Sequence, residues 1–201
     1  MNGATLSTDK LGNANNAYSF DGNYKPETTP GTGGTIDINA NGALSFNAIT
    51  QNYAVSLWFK TNHLNNSNEG QFLIIDRNAS SSSSHSYGIS LFNNGIIRGE
   101  SYVYGQNASV IDSSVPPQIG VWHHVVYTIT NKTPYLYLDG VLIGTSNVMQ
   151  GYTSTTKNTQ GVSIGRFGGS LSQYFNGSID EVRIYNRALS SAEVQALYAG
   201  N

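Results

Sequence analysis

Residues 53–60, YAVSLWFK, carry apolar groups on both faces of an extended chain. Tyr53, Val55, Leu57 and Phe59 fall on one side; Ala54, Ser56, Trp58 and Lys60 fall on the other. Successive side chains of a strand point to opposite faces, so such a segment belongs in the middle of a sheet that is covered on both sides. Runs of the same kind recur at residues 17–21 (AYSFD), 71–76 (QFLIID), 87–92 (YGISLF), 121–129 (VWHHVVYTI), 134–139 (PYLYLD), 162–165 (VSIG) and 178–185 (SIDEVRIY). Asn94-Gly95 lies between YGISLF and IIRG, and Asp139-Gly140 between YLYL and VLIG. Both dipeptides accept positive φ and predict antiparallel hairpins. One helix is expected, near the end. Ser190 caps it, Glu193 completes an S-x-x-E capping box, Leu189 staples to Val194, and Gly200 stops it after the stripe of Val194, Leu197 and Tyr198. We expect this helix on the sandwich edge. The whole pattern predicts an all-β, two-sheet antiparallel β-sandwich of jelly-roll type with one short C-terminal helix, forming a single domain over residues 1–201. The serine tract at 80–84 reads as a hairpin tip.

Charge and composition narrow the function classes. Ten Lys and Arg face twelve Asp and Glu, a formal net charge of -2, which argues against a basic nucleic-acid binder. Without cysteine there are no disulfides, no thiol chemistry and no thiolate metal ligands. No apolar run approaches the ~20 residues that span a membrane, so membrane insertion is not expected. The opening MNGATLSTDK lacks the basic head and apolar stretch of a signal peptide. Uncharged polar residues, with 23 Asn, 24 Ser and 16 Thr beside 13 Tyr, suggest an extracellular surface. A secreted or cell-surface setting follows, with this chain as a piece of a larger multidomain protein.

The string FNGSIDEVRIYNRALSSAEVQALY at 175–198 resembles the closing segment of laminin-G-like, concanavalin A-like lectin/glucanase jelly-roll domains of bacterial secreted and surface proteins. Residues 3–23 (GATLSTDKLGNANNAYSFDGN), YAVSLWFK, and VWHHVVYTI followed by LYLDGVLIG fit the same family in order. Members usually begin with an additional strand ahead of the segment that matches Gly3, which leaves the first sheet edge open. The resemblance implies a noncatalytic, calcium-containing binding module that takes a carbohydrate or glycoprotein ligand and contacts neighbouring domains of its parent. A structural spacer for protein contacts is the alternative, and a polysaccharide-active enzyme the third reading. The resemblance also implies a structural calcium held by Asp21, Asn23 and Asp180, with carbonyls from the turn at Gly22; hard oxygen ligands suit that ion. Asp21 before Gly22 equally suits an ordinary turn, and Asp180 could instead bond backbone amides.

Glucanases of this fold space two or three carboxylates along one strand as E-x-D-x-x-E, because alternate residues face one cleft. The chain has no such set. Its one close acidic pair, Asp180-Glu181, consists of strand neighbours that point to opposite faces. Trp58, Phe59, Trp122, Phe20, Phe72 and Phe92 lie in apolar strands and are expected in the core. Sugars are recognised by stacking on aromatic rings and by polar groups around them. Arg98, Tyr102 and Tyr104 in the polar stretch RGESYVYGQN, with Tyr152, Arg166 and Tyr174 in Gly/Ser-rich surroundings, are the candidate ligand contacts. His123 and His124 are consecutive, face opposite ways and should pack with hydrogen-bonded rings rather than chelate one metal.

Overall fold

A computed structural model describes residues 3–22, 34–64, 70–76, 85–92, 95–103, 106–147, 161–167 and 173–200. The strands are β1 (Thr5–Ser7), β2 (Ala17–Asp21), β3 (Ile36–Ile38), β4 (Tyr53–Thr61), β5 (Gln71–Asp76), β6 (His85–Phe92), β7 (Ile96–Val103), β8 (Gln106–Asp112), β9 (His123–Thr130), β10 (Thr133–Leu138), β11 (Val141–Thr145), β12 (Val162–Ile164) and β13 (Asn176–Tyr185), followed by helix α1 (Ser191–Ala199). They form a seven-stranded sheet in the order β1-β2-β13-β4-β9-β10-β11 and a six-stranded sheet in the order β3-β12-β5-β6-β7-β8. Neighbouring strands within each sheet run antiparallel. This is the expected two-sheet sandwich with one terminal helix.

Strand β4 lies between β13 and β9, and both its faces are covered. Tyr53, Val55, Leu57 and Phe59 enter the core between the sheets, where they meet Leu73, Ile89, Ile97 and Val125. Burying each such side chain contributes about 1.5–3 kcal/mol. The tyrosines carry hydroxyls into this core, and serines of the opposite sheet receive them. Tyr53 donates to the Ser86 carbonyl and shares a 3.1 Å hydrogen bond with Ser101 Oγ, which lies 2.9 Å from the Tyr127 hydroxyl. The two sheets are thus bonded through their interior.

Both hairpin signals hold. Asp139 and Gly140 have φ of 49° and 78°, the doubly left-handed turn that suits a two-residue hairpin, and β10 pairs with β11. Strands β6 and β7 pair around Gly95 at φ 86°, while Asn94 lies outside the described residues. The Ser80–Ser84 tract also lies outside them. Strands β1, β3 and β8 carry no strong alternation, and the sequence pattern does not mark them.

Helix α1 has its capping box: Ser190 Oγ accepts the Glu193 amide at 3.3 Å, and the Ser190 amide donates to Glu193 Oε2 at 2.8 Å. Gly200, left-handed at φ 85°, closes the other end. The helix contacts the edge strand β11, as expected, while Leu189 just before it and Val194 within it pack on Ala54, Val126 and Tyr137 of the outer face of the seven-stranded sheet. Small and apolar residues at outward positions of β4 and β9 leave a shallow apolar bed, and the apolar stripe of the helix fills it.

Burial pushes the Tyr127 hydroxyl up to about 12 and the Tyr53 hydroxyl well above its usual value. An unfolded tyrosine titrates near ~10, so the fold favours the neutral phenol. That contribution to stability is complete below ~pH 10 and is lost as the pH rises through the folded value. Circular dichroism and phenolate absorbance followed together should show these tyrosines ionising only as the sheet unfolds, between ~pH 10 and 12. Ionisation of Tyr127 near ~pH 10 in still-folded protein would contradict the cross-sheet bonding.

Candidate functional site

Alternation along β4 sends Trp58 to the face opposite Leu57 and Phe59. It is buried, as expected, but on the outer face of the seven-stranded sheet and not between the two sheets. Its cross-strand neighbours are His124 on β9 and Asp180 on β13. Trp58 forms part of a cleft of about 440 Å³ on the outer face of the seven-stranded sheet. The walls come from distant parts of the chain: Lys10 and Leu11 before β2, Trp122 before β9, Glu181 and Arg183 on β13, and Tyr198 to Gly200 at the end of α1. Trp122 is half-buried here and is not a core residue.

Each wall has a local cause. Asp9 accepts the Leu11 and Asn13 amides at 2.8 Å each, the Asn13 side chain at 3.0 Å and the Asn16 side chain at 3.3 Å. These bonds, the Asn13 side chain foremost, hold its carboxyl down to about 2 and close a tight loop. The loop presents Lys10 with Nζ 4.4 Å from the centre of the Trp58 ring. On β13 the pairing with β4 slips between Asp180 and Arg183, and Glu181 takes a left-handed φ of 46°. Non-glycine residues adopt that conformation at a cost of about 1–3 kcal/mol, and bulges of this kind re-aim side chains. Here the bulge sets Glu181 between Arg183, at 3.1 Å, and Lys10, at 3.7 Å.

Beneath the cleft, His124 Nε2 shares a 2.8 Å hydrogen bond with Ser56 Oγ. Burial pushes its imidazole down to about 4, so the ring is neutral at physiological pH. Tyr198 stacks on Trp58 with ring centres 5.6 Å apart and an interplanar angle of 16°. It also lies 6.3 Å from the His124 ring at 22°. Among the described residues, Trp58 Nε1 and His124 Nδ1 are buried with no hydrogen-bond partner. His123 faces the other way, as its spacing predicts. The Gln118 amide donates to its Nε2 at 3.1 Å, which leaves Nδ1–H to donate to Asp139 Oδ2 at 2.7 Å.

The described ones among the candidate ligand contacts, Arg98, Tyr102, Arg166 and Tyr174, lie elsewhere, on the six-stranded sheet side. Arg98 makes a two-pronged pair with Asp112, at 2.7 and 2.8 Å, and covers the Phe92 ring at 3.9 Å. Its hydrogen bonds to Asp112 raise the guanidinium further. Tyr102 is half-buried, its ring 4.6 Å from that of His85, which in turn bonds Glu100 at 3.1 Å. Arg166 donates to Asp37 at 2.9 Å and bridges to the buried Tyr174. Phe167, beside Arg166, reaches Phe72 at 4.9 Å and His85 at 6.5 Å, so an aromatic run links the two groups. Both arginines are held by carboxylates. Tyr104 and Tyr152 lie outside the described residues.

The carboxylates expected to share calcium are not brought together. Asp21 stands opposite Asn176, four residues along β13 from Asp180, which is about 13 Å at the strand rise. Calcium takes oxygens within ~2.6 Å, so this register sets the two carboxylates far apart for one shared ion. Asp21 Oδ1 accepts the Gly34 amide at 3.4 Å, and Asp180 Oδ1 accepts the Glu181 amide at 2.7 Å. Burial raises the Asp180 carboxyl above its usual value. Asn23 lies outside the described residues, and among those described no three His, Cys, Asp or Glu side chains converge on a metal position.

The profile of the concanavalin A-like lectin/glucanases superfamily (Laminin_G_3) matches residues 30–195. No curated protein sequence matches the chain. Among solved structures, the binding domain of Paraclostridial mosquitocidal protein 1 superposes with a TM-score of 0.74 at 18% identity, covering 98% of this chain and 46% of that one. Domain 4 of an extracellular arabinanase from Geobacillus stearothermophilus, solved with arabinotriose, gives 0.65 at 21% identity, covering 97% and 81%. A pentraxin from Limulus polyphemus gives 0.61 at 17%, covering 91% and 81%. The chain spans less than half the length of the toxin binding domain, and at these identities the likeness is one of fold. The geometry of β13 also yields a metal test. In metal-stripped protein, Asp21→Asn and Asp180→Asn should not abolish one common calcium-induced rise in melting temperature; loss of the same rise in both would restore the shared ion.

Proposed function

The chain belongs to the concanavalin A-like lectin/glucanases superfamily, and on that premise we propose that it is a noncatalytic module that binds carbohydrate in the Trp58 cleft. The observation that carries this reading is the composition of the cleft walls. Trp122 offers an aromatic face, Trp58 lies at the base beneath Tyr198, and Lys10, Glu181 and Arg183 offer donors and acceptors beside them. A sugar presents an apolar ring face and a rim of hydroxyls, and this arrangement answers both. A volume of about 440 Å³ suits one or two sugar rings. The strained bulge that aims Glu181 into the cleft supports a site over a packing defect.

The noncatalytic reading rests on how the acids are held. On the outer face of the six-stranded sheet, Glu100 bonds His85, Asp112 bonds Arg98, and Asp37 bonds Arg166 and Ser163. In the cleft Glu181 is paired with both Arg183 and Lys10. Domains of similar fold, a toxin binding domain and domain 4 of an extracellular arabinanase solved with arabinotriose, support a binding module. We place the module in an extracellular protein with further domains, where a weak sugar site raises the local concentration of its neighbours. A protein-contact role is the second reading. It is favoured by exposed Ile119 and Val121, at 52% and 39%, in the uncharged loop before Trp122.

A glycan array followed by titration tests the proposal. Trp122→Ala should weaken binding of the selected glycan by about tenfold, since stacking contributes ~1–3 kcal/mol, and should leave the melting temperature nearly unchanged. Arg98→Ala should leave affinity unaltered. The opposite pattern would move the site to the six-stranded sheet.

A further inference from the structure

Trp58 is 8% exposed and His124 1%, yet Trp58 Nε1 and His124 Nδ1 have no partner among the described residues. The two residues are cross-strand neighbours, with ring centres 5.1 Å apart. A buried polar atom left without a hydrogen bond costs ~1–3 kcal/mol. They are two of eight such atoms among the described residues, and these two belong to cross-strand neighbours. Both belong to rings on which Tyr198 stacks. It sits in the last turn of α1, is 42% exposed, and precedes the left-handed cap at Gly200. The helix is seated elsewhere, through Leu189 and Val194. Rotation of one side chain therefore uncovers the pair without unseating the helix.

We propose that Trp58 Nε1 and His124 Nδ1 form a polar subsite for a sugar hydroxyl pair, and that Tyr198 occupies this subsite until a sugar ring displaces it. The inference rests on the cleft as the carbohydrate site and names the residues that determine which sugar fits. The chemistry is specific. The indole N–H only donates. The neutral imidazole, whose Nε2 is engaged with Ser56 Oγ, presents Nδ1 as acceptor when Nε2 carries the proton. One donor beside one acceptor matches two adjacent hydroxyls of a neutral sugar. The flat ring that leaves and the ring that enters both stack on the same indole, so the exchange preserves the aromatic contact.

Two measurements test this. The first needs no ligand: deuterium exchange of the Trp58 indole proton, followed by NMR in the folded protein. Tyr198→Ala, and independently Tyr198→Ser, should speed that exchange about tenfold or more while leaving the Trp122 indole unchanged, because opening then no longer requires the stack to part. An unaltered Trp58 rate in both variants would overturn Tyr198 as the cover. The second is titration with neutral trisaccharides, arabinotriose, maltotriose and cellotriose, against the wild type, Tyr198→Ala, and Tyr198→Ala with Trp58→Phe. Removing the cover should tighten binding of at least one of them by about tenfold, and Trp58→Phe, which keeps a ring but deletes the donor, should reverse that gain. Weaker binding in Tyr198→Ala, with binding still lost in Trp122→Ala, would leave the cleft as the sugar site and overturn the subsite. Tighter binding that Trp58→Phe does not reverse would mean that the two atoms hold only water, and it overturns the subsite as well. If no variant binds any glycan, the carbohydrate reading itself falls, while the exchange rates still decide whether Tyr198 is a cover.

Discussion

Strand β4 is buried on both faces, and the rest of the structure depends on that. Its inner row, Tyr53, Val55, Leu57 and Phe59, closes the core between the sheets. Its outer row grows along the strand from Ala54 through Ser56 to Trp58, and this gradient organises everything on that side. The small end is a bed for α1, which sets Leu189 and Val194 against Ala54 and Val126. At the large end the indole is too bulky to be lain upon and becomes a floor, with the last turn of the helix bringing Tyr198 over it. One strand thus specifies a core, a helix seat and a cleft through the size of alternate residues.

Serine is used inside as well as outside. The abundance of Ser reads as surface character, yet nine serines are buried among the described residues. Ser101 and Ser86 meet the hydroxyl of Tyr53, Ser101 also that of Tyr127, and Ser56 meets His124. A core this rich in tyrosine needs a hydroxyl partner for each buried phenol, since an unpaired one would weigh against the apolar area it brings. The composition is therefore partly the signature of how the two sheets are joined, beyond the solvent they face.

The fold was legible because its signals are local. Period-two alternation marked the long strands, Asp139-Gly140 marked a hairpin, and Ser190 with Glu193 marked the start of the helix. The site was less legible, for reasons that can be named. A strand apolar on both faces does not say which face turns between the sheets, so the burial of Trp58 is legible and the side on which it is buried is not. Pairing decides which carboxylates meet: the register of β2 against β13 puts Asp21 beside Asn176 and leaves Asp180 beside Trp58. No spacing rule carries that information. The bulge at Glu181 arises from the meeting of β13 with β4, and no turn residue announces it. Arg98 and Tyr102 looked available because their strand is polar; the carboxylate of Asp112 and the ring of His85 across the sheet hold them.

The walls of the cleft come from residues near 10, 58, 122, 181 and 198. In folding, such a site is assembled late. Contacts between segments so far apart in sequence carry a large loop-closure cost, and they form after the local hairpins β6–β7 and β9–β10 have given the sheets a frame. During synthesis the Trp58 floor exists well before the turn that bears Tyr198 has been made. The cleft is thus a report on the completed chain: a molecule stalled, nicked or mispaired along β13 can keep much of its core and still lack the place where a ligand would sit.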